Sequence, residues 1–200
     1  YHDANARIRK LYELGKRFNW DAQMDVDWDA PFPKSEVPND PAQNAFAGHP
    51  KYEALSEEQK LEFAWRSHAQ TLSQFLHGEQ GALVCTAKIV ETVPWIDAKY
   101  YASTQVMDEA RHVEVFAKYL QDKWGGHYPV NAHLKMLLDD IVNDTRWDMT
   151  YLGMQIMVEG LALAAFGFMQ QMTTEPLLKK LLRYVMSDEA RHVAFGVLSL

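Results

Sequence analysis

The sequence predicts an all-α protein, a bundle of long antiparallel helices preceded by an irregular N-terminal arm. Apolar residues recur at helical spacing from Ser56 onward, and proline or glycine interrupts this pattern only at a few turns. No run of alternating apolar and polar residues competes with it. The 200 residues suffice for one sizeable core, and the formal net charge of −7 disfavours nucleic acid as a partner.

The predicted arm comprises residues 1–55 and holds five of the eight prolines. We expect a short helix over residues 3–18 and irregular chain after it, because proline removes backbone hydrogen-bond donors. Two roles are open for the tryptophans of the arm. They pack on the main core, as loop side chains commonly do, or they cover a substrate.

Residues 56–200 form the predicted bundle. Ser56 and Gln59 have the spacing of a capping box, so the first long helix begins there and ends at Pro94, with Gly78 and Gly81 as points where it could bend or divide. The second helix is expected over residues 95–124.

The third helix is predicted as one element over residues 131–172, and the fourth begins after the turn at residues 173–176 and runs to the end. Residues 152–169 are nearly all apolar and long enough to span a bilayer. Gln155 and Glu159 interrupt this run, and a lone carboxylate is costly inside a membrane. We therefore expect no membrane span but a helix buried in the bundle.

A repeated pentapeptide, Asp-Glu-Ala-Arg-His, occupies residues 108–112 and 188–192. The two copies are 80 positions apart, and the same interval separates two upstream glutamates. The repeat therefore defines six candidate metal ligands: Glu79, Glu109, His112, Glu159, Glu189 and His192. A single Glu-x-x-His is more often a solvated helix face, but two copies with matched glutamates are not.

Helix geometry brings these residues to one level. Pro94 lies midway between Glu79 and Glu109, and residue 174 lies midway between the other two glutamates. Each carboxylate is thus roughly 22 Å from its turn at 1.5 Å per residue. A histidine three residues after a glutamate shares its helix face. Glu91 is an alternative ligand to Glu79, but it lies close to Pro94, so its height along the helix does not match that of Glu109.

Four carboxylates in an apolar core repel one another, and two divalent cations would balance their charge. An oxygen-rich set with one imidazole per metal suits iron and also fits manganese. Asp108 and Asp188 are expected to accept a hydrogen bond, each from the histidine of the other hairpin, with Arg111 and Arg191 neutralising them. The alternative is a pair of surface ion pairs. The single Cys85 excludes a disulfide framework and indicates a reducing, cytoplasmic location.

From Ser56 to the end, these motifs resemble the ferritin-like di-iron carboxylate superfamily. The Asp-Glu-x-Arg-His form is most similar to its oxygenase branch, which includes bacterial multicomponent monooxygenase hydroxylases. The resemblance implies a ferritin-like four-helix bundle and two iron ions at the six ligand positions, with catalysis at the same residues. It also implies that the protein uses O2 to oxidise a small, partly hydrophobic organic substrate, with hydroxylation as the expected reaction. Such a reaction needs an electron donor such as a reductase or ferredoxin. A homodimer is compatible with it.

Three positions depart from the patterns of this superfamily. The radical-generating subunit of ribonucleotide reductase has a tyrosine where this chain has Phe116. Aromatic N-oxygenases have an additional histidine where this chain has Val185, which argues against a seventh ligand. Multicomponent monooxygenases have a threonine where this chain has Leu163, and Gln155 could face the pocket instead. The pocket is expected to be lined by Ala82, Leu83, Thr86, Leu163 and Phe166.

Two alternatives remain open at this stage. One is an iron-binding protein or ferroxidase similar to ferritin or bacterioferritin, although the proline-rich arm does not suit a compact storage shell. The other is a metal-free interaction bundle. The chain begins at Tyr1 and ends inside an apolar periodic stretch, so we expect it to be a segment of a longer protein.

Overall fold

The computed structural model describes residues 5–31 and 33–199. Its α-helices are α1 (Ala6–Arg17), α2 (Pro50–Glu53), α3 (Glu57–Thr92), α4 (Ile96–Lys123), α5 (Ala132–Asn143), α6 (Trp147–Thr150), α7 (Glu159–Met172) and α8 (Pro176–Ser199). A 3-10 turn covers Pro41–Gln43, and a π-helix covers Tyr151–Val158 between α6 and α7. The only β-type pairing among the described residues is an isolated bridge between Asn39 and Thr173. The all-α prediction is confirmed.

Two antiparallel hairpins, α3–α4 and α7–α8, form the four-helix bundle. The predicted capping box starts α3, since Gln59 N donates to Ser56 Oγ at 3.3 Å and Ser56 N donates to Gln59 Oε1 at 2.9 Å. Neither glycine of α3 divides the helix. At Gly81 a Cβ atom would lie 2.7 Å from Leu138 of α5, so this glycine allows α5 to pack closely.

The prediction of one helix over residues 131–172 is wrong. The chain leaves α5 at Asn143 and resumes a helix at Trp147. Asp144 closes the turn between them, because its Oδ1 accepts from Arg146 N at 2.9 Å. Lys88 of α3 donates to the carbonyl oxygen of Val142 at 2.8 Å, and so satisfies the end of α5 from another helix. Local and tertiary partners thus replace the bonds of a continuous helix.

The apolar stretch Trp147–Met172 is long and apolar enough to cross a bilayer by length and composition, and 28% of its most apolar 18-residue window is buried. Within it, the π-helix runs directly into Glu159. Gly196 of α8 permits this geometry, because a Cβ there would lie 3.0 Å from the carbonyl oxygen of Gln155. The helix that supplies Glu159 is therefore not equivalent to the regular α3 that supplies Glu79.

The arm contains the predicted short helix as α1, which begins after its N-cap Asn5; residues 3 and 4 of the prediction lie outside the described part of the chain. Ile8 and Leu11 of α1 pack with Tyr101 and Phe195 of the bundle. The rest of the arm is mostly irregular and crosses to the α7–α8 turn, where Thr173 Oγ1 donates to the carbonyl oxygen of residue 38 at 2.9 Å.

Candidate dimetal site

The structure brings all six predicted ligands together in the centre of the bundle. Four helices supply them: α3 gives Glu79, α4 gives Glu109 and His112, α7 gives Glu159, and α8 gives Glu189 and His192. All six side chains are buried, and they form two groups of four in which the ligand atoms lie within 4.8 Å of one another. Glu91, the alternative to Glu79, is exposed.

The two groups share Glu109 and Glu189. The first group adds Glu79 and His112, and we call it position 1; the second adds Glu159 and His192, and we call it position 2. Each position thus has three carboxylates and one imidazole, and the shared glutamates lie between them. This is the ligand pattern of two bridged metal ions related by a pseudo-two-fold axis.

The histidine Nδ1 atoms face into the cluster. His112 Nδ1 lies 3.2 Å from Glu79 Oε2 and 3.1 Å from Glu189 Oε1. His192 Nδ1 lies 3.2 Å from Glu109 Oε1 and 3.4 Å from Glu189 Oε2. The Nε2 atoms therefore face away from the cluster and are free to bind other partners.

Those partners are the aspartates of the opposite hairpin. His112 Nε2 lies 3.1 Å from Asp188 Oδ2, and His192 Nε2 lies 3.3 Å from Asp108 Oδ2. The predicted cross-hairpin pairing is confirmed. A hydrogen bond from Nε2–H to a carboxylate fixes the tautomer in which Nδ1 keeps a lone pair for a metal.

Two buried arginines hold the aspartates. Arg111 Nη2 donates to Asp108 and, at 3.1 Å, to Asp188; Arg191 Nη2 donates to Asp188 and, at 3.4 Å, to Asp108. The predicted neutralisation is confirmed and the surface alternative is not. Burial alone would raise the pKa of Asp188, but His112 and Arg191 hold it well below its ordinary value. These aspartates therefore stay ionised.

Crowded carboxylates perturb protonation inside the cluster. Burial and the neighbouring Glu159 raise the pKa of Glu189 to about 8, and the same two causes raise the pKa of Glu109. Burial alone would lower the pKa of His112, but Glu79 and other carboxylates raise it well above its ordinary value. Bound protons thus balance the negative charge of the metal-free cluster, and two cations would displace them.

The residues fit such a pair of ions. Glu109 Oε2, both carboxylate oxygens of Glu189, and His192 Nδ1 are buried and have no hydrogen-bond partner among the described residues. Buried polar atoms are normally satisfied, so this concentration of unpartnered acceptors needs an explanation. Carboxylate and imidazole donors without thiolate suit iron or manganese.

Sequence reasoning missed two residues that contact this network. Gln105 Nε2 donates to Glu109 Oε1 at 2.9 Å and to Glu159 Oε1 at 3.1 Å, and so orients both carboxylates. Its position one turn before Glu109, on the same helix face, was an available signal. Trp20 of the arm donates to Asp188 Oδ2 at 2.8 Å. No local pattern predicts that contact, since the two residues are far apart in sequence.

An apolar cavity of about 260 Å³ reaches Glu79 and Glu159, and we call it the metal-side cavity. Its other lining residues include the predicted Ala82 and Phe166, whereas the predicted Leu83, Thr86 and Leu163 do not line it. Gln155 does not line it either. The Gln155 amide is fully buried and has no hydrogen-bond partner in the described residues.

The family model of the p-aminobenzoate N-oxygenase AurF matches residues 2–197. The chain belongs to the AurF family. Family membership favours an oxygenase over an iron-storage protein, as the sequence predicted. A comparison with curated proteins gave no significant match.

Solved structures of an R2-like ligand-binding oxidase share the fold. One with an aerobically reconstituted Mn/Fe cofactor (long soak) has a TM-score of 0.73 at 20% identity, covering 98% of this chain and 68% of that chain. A mutant of the same oxidase with non-activated Mn/Mn cofactor has a TM-score of 0.70 at 20% identity, covering 98% and 71%. The ferritin-like bundle prediction is confirmed.

This AurF family member differs from the aromatic N-oxygenases described above at Val185. That residue is fully buried on α8 and offers no ligand atom. Its counterpart in the repeat, 80 positions earlier, is Gln105, so the two hairpins differ at this level. The cluster of the described residues therefore has six candidate ligands.

Proposed function

We propose that the chain is an O2-dependent oxygenase that carries two iron ions, with manganese as the alternative metal, and oxidises a small apolar substrate. The observation that carries the proposal is the metal-side cavity, which brings an apolar space into contact with two of the buried candidate ligands, Glu79 and Glu159. AurF family membership supports the same class of reaction.

The cavity lining favours a neutral substrate. The described residues that line it include Phe75, Val158 and Phe166 but no lysine or arginine that could pair with a carboxylate. The polar residues Gln74 and Asn131 bind each other, since Asn131 Nδ2 donates to Gln74 Oε1 at 3.1 Å. We therefore expect a neutral arene or arylamine to be preferred over p-aminobenzoate.

Each residue has a definite role in this proposal. Glu79 and His112 would hold an ion at position 1, Glu159 and His192 would hold an ion at position 2, and Glu109 and Glu189 would be shared by both positions. A bound pair of iron or manganese ions supplies the redox chemistry that activates O2. Asp108 and Asp188 orient the two histidines, and Gln105 orients Glu109 and Glu159.

Hydroxylation places one oxygen atom of O2 in the product and reduces the other to water. This consumes two electrons and two protons beyond those of the substrate, so an external electron donor such as a reductase or ferredoxin is part of the proposal.

The proposal is tested by a single turnover of the iron-loaded chain with ¹⁸O2, a chemical reductant, and a panel of benzene, aniline and p-aminobenzoate. We expect one ¹⁸O atom per product by mass spectrometry, with the neutral compounds oxidised faster than p-aminobenzoate. Labelled hydroxyl and labelled N-oxygen products distinguish carbon from nitrogen as the oxidised atom. Consumption of O2 without labelled product from any panel member would contradict an oxygenase.

Metal stoichiometry tests the ligand assignment separately. Glu189→Ala removes a shared ligand and should lower bound iron at both positions, whereas Glu159→Ala should lower it at position 2. Glu91→Ala is the matched control, because Glu91 is an exposed glutamate of the same helix as Glu79. Elemental mass spectrometry that shows equal iron content in all three variants would overturn the assignment.

A further inference from the structure

A second cavity, of about 360 Å³, lies between the N-terminal arm and the α3–α7 pair. We call it the arm cavity. It is bounded by arm residues between Val37 and Phe46, by His68 and Phe75 of α3, and by Phe168 and Met172 of α7. Phe75 and Ala165 line both this cavity and the metal-side cavity, so the two spaces are neighbours.

The arm cavity is separated from the metal positions. His68 precedes Glu79 by three helical turns, which is roughly 16 Å along α3. The ring of Phe75 stands between the two cavities and is held edge-on against Phe166, with ring centroids 4.8 Å apart, and against Phe116 at 6.1 Å. A molecule in the arm cavity would therefore not touch the candidate ligands.

His68 gives the arm cavity a polar group. Its side chain lines the cavity and is only 2% exposed. Its Nε2 lies 3.3 Å from the Tyr119 hydroxyl, but its Nδ1 has no hydrogen-bond partner in the part of the chain that the structure describes. Burial lowers the pKa of His68 to about 4, so the ring is neutral at pH 7 and one of its two nitrogens carries a lone pair.

The surrounding network assigns Nδ1 as an acceptor. Burial and the neighbouring Glu175 carboxylate raise the pKa of Tyr119. Glu175 Oε2 accepts from Leu178 N at 2.7 Å, and Lys123 Nζ lies 3.9 Å from Oε1. Glu175 Oε1 has no hydrogen-bond partner among the described residues, and the charge of this carboxylate acts on Tyr119. We infer that the Tyr119 proton turns toward Glu175, so that the Tyr119 oxygen accepts from Nε2–H of His68. The lone pair of His68 is then on Nδ1.

Asn39 supplies a second unsatisfied acceptor. It lines the same cavity, and its Oδ1 is buried without a hydrogen-bond partner among the described residues. Its backbone is fixed against the α7–α8 turn, because Asn39 bridges to Thr173 and Asp40 N donates to the Met172 carbonyl oxygen at 2.8 Å. Two buried acceptors left without donors favour a ligand that brings donors.

The remaining walls are apolar and aromatic. Phe46 and Phe63 pack edge-to-face with ring centroids 5.0 Å apart, and Tyr52 lies 5.7 Å from Phe63. Among the described lining residues there is no lysine or arginine, and Asp40 is the one charged group, with its Oδ1 accepting from Ala42 N. An anionic ligand would therefore lose its hydration without gaining a counter-charge.

We propose that the arm cavity is a second small-molecule site, which binds a neutral aromatic molecule carrying a hydroxyl or amino donor. A hydroxyl donates its one proton to His68 Nδ1, the second N–H of an amino group donates to Asn39 Oδ1, and the ring lies among Phe46, Phe63 and Phe168. This site is independent of the proposed oxygenase activity, because none of its polar groups is a candidate metal ligand.

The test uses 2-naphthol as the probe and the metal-loaded full chain under nitrogen, with binding measured by calorimetry. Ala64 lines the arm cavity and Ala162 lines the metal-side cavity, so Ala64→Trp and Ala162→Trp form a matched pair that fills one space each. The metal-side cavity is itself proposed to take neutral arenes, so the comparison is made with that cavity filled: Ala162→Trp should retain one binding site for 2-naphthol, and the double variant Ala64→Trp/Ala162→Trp should lose it. No binding to Ala162→Trp, or unchanged binding to the double variant, would overturn the proposal.

A second measurement tests the hydrogen bond by changing the probe and not the shape of the arm cavity. In the Ala162→Trp background, 2-methoxynaphthalene lacks the O–H donor and should bind about tenfold more weakly than 2-naphthol. With His68→Phe added, the two probes should bind equally, and 2-naphthoate should not bind to either protein. Equal binding of the two neutral probes when His68 is present would show that His68 makes no hydrogen bond, and would refute the assigned contact.

Discussion

The cross-hairpin aspartates allow the two metal positions to be perturbed one at a time. Asp188 is 1% exposed and accepts from Trp20 Nε1 at 2.8 Å, from Arg111 Nη2 at 3.1 Å and from His112 Nε2 at 3.1 Å. His192 uses Asp108 instead, at 3.3 Å. In Asp188→Asn, the amide replaces a charged acceptor behind His112 only.

We expect Asp188→Asn to weaken metal binding at position 1 by about 10- to 100-fold, because loss of such a partner lowers the basicity and order of the ligating imidazole. This is about 1.4–2.7 kcal/mol of binding free energy. Position 2 should keep its affinity. Asp108→Asn is the matched control and should reverse the pattern.

Both variants also remove one of two buried carboxylates that face Arg111 and Arg191, so each should lower the free energy of unfolding by about 3 kcal/mol. Both variants are therefore expected to lose the same amount of stability, whereas the position that loses metal should differ between them. Anomalous X-ray scattering from crystals with limiting manganese measures occupancy at each position. If both variants emptied the same position, or both positions equally, the cross-hairpin role assigned to the aspartates would be refuted.

Two further predictions concern stability. Burial lowers the pKa of His68 to about 4, so between pH 6.5 and pH 4 the unfolded chain binds a proton that the folded protein does not. This stabilisation is present above pH 6.5 and lost as the pH falls to 4, by about 3 kcal/mol. Urea unfolding at several pH values measures this, and the free energy of unfolding of His68→Gln should not show the loss. If that free energy fell equally with pH in both proteins, the prediction would be contradicted. Gly196→Ala should destabilise by about 1–3 kcal/mol, because its Cβ would lie 2.8 Å from Gln155 Cβ. Gly78→Ala, with nothing within 4 Å, should stabilise by up to about 1 kcal/mol. Thermal unfolding measures both, and a shift of the same sign in both variants would show that packing at Gly196 is unimportant.

The long helices were predictable because their signals are local. The capping box at Ser56 and Pro94 after α3 act within a few residues, and both limits agree with the structure. The failed prediction was the helix over residues 131–172, which breaks after Asn143. Apolar periodicity continues across that break, and the bond from Lys88 that supports it comes from another helix.

The candidate site likewise combines residues that the sequence predicted with contacts that it did not. Its six side chains were selected by an interval of 80 positions, since equal distances from two turns place residues at equal heights on antiparallel helices. The sequence did not indicate Trp20 behind Asp188, the π-helix before Glu159 or the exact lining of the metal-side cavity.

By itself, the sequence determined the helical class, the two hairpins and the level at which the carboxylates and histidines meet, because period and turn position follow from neighbouring residues. Only the tertiary structure decided which glutamates lie between the two positions, which aspartate accepts from which histidine, and where apolar space remains. Those features depend on the relative placement of helices, and side chains distant in sequence fix that placement together.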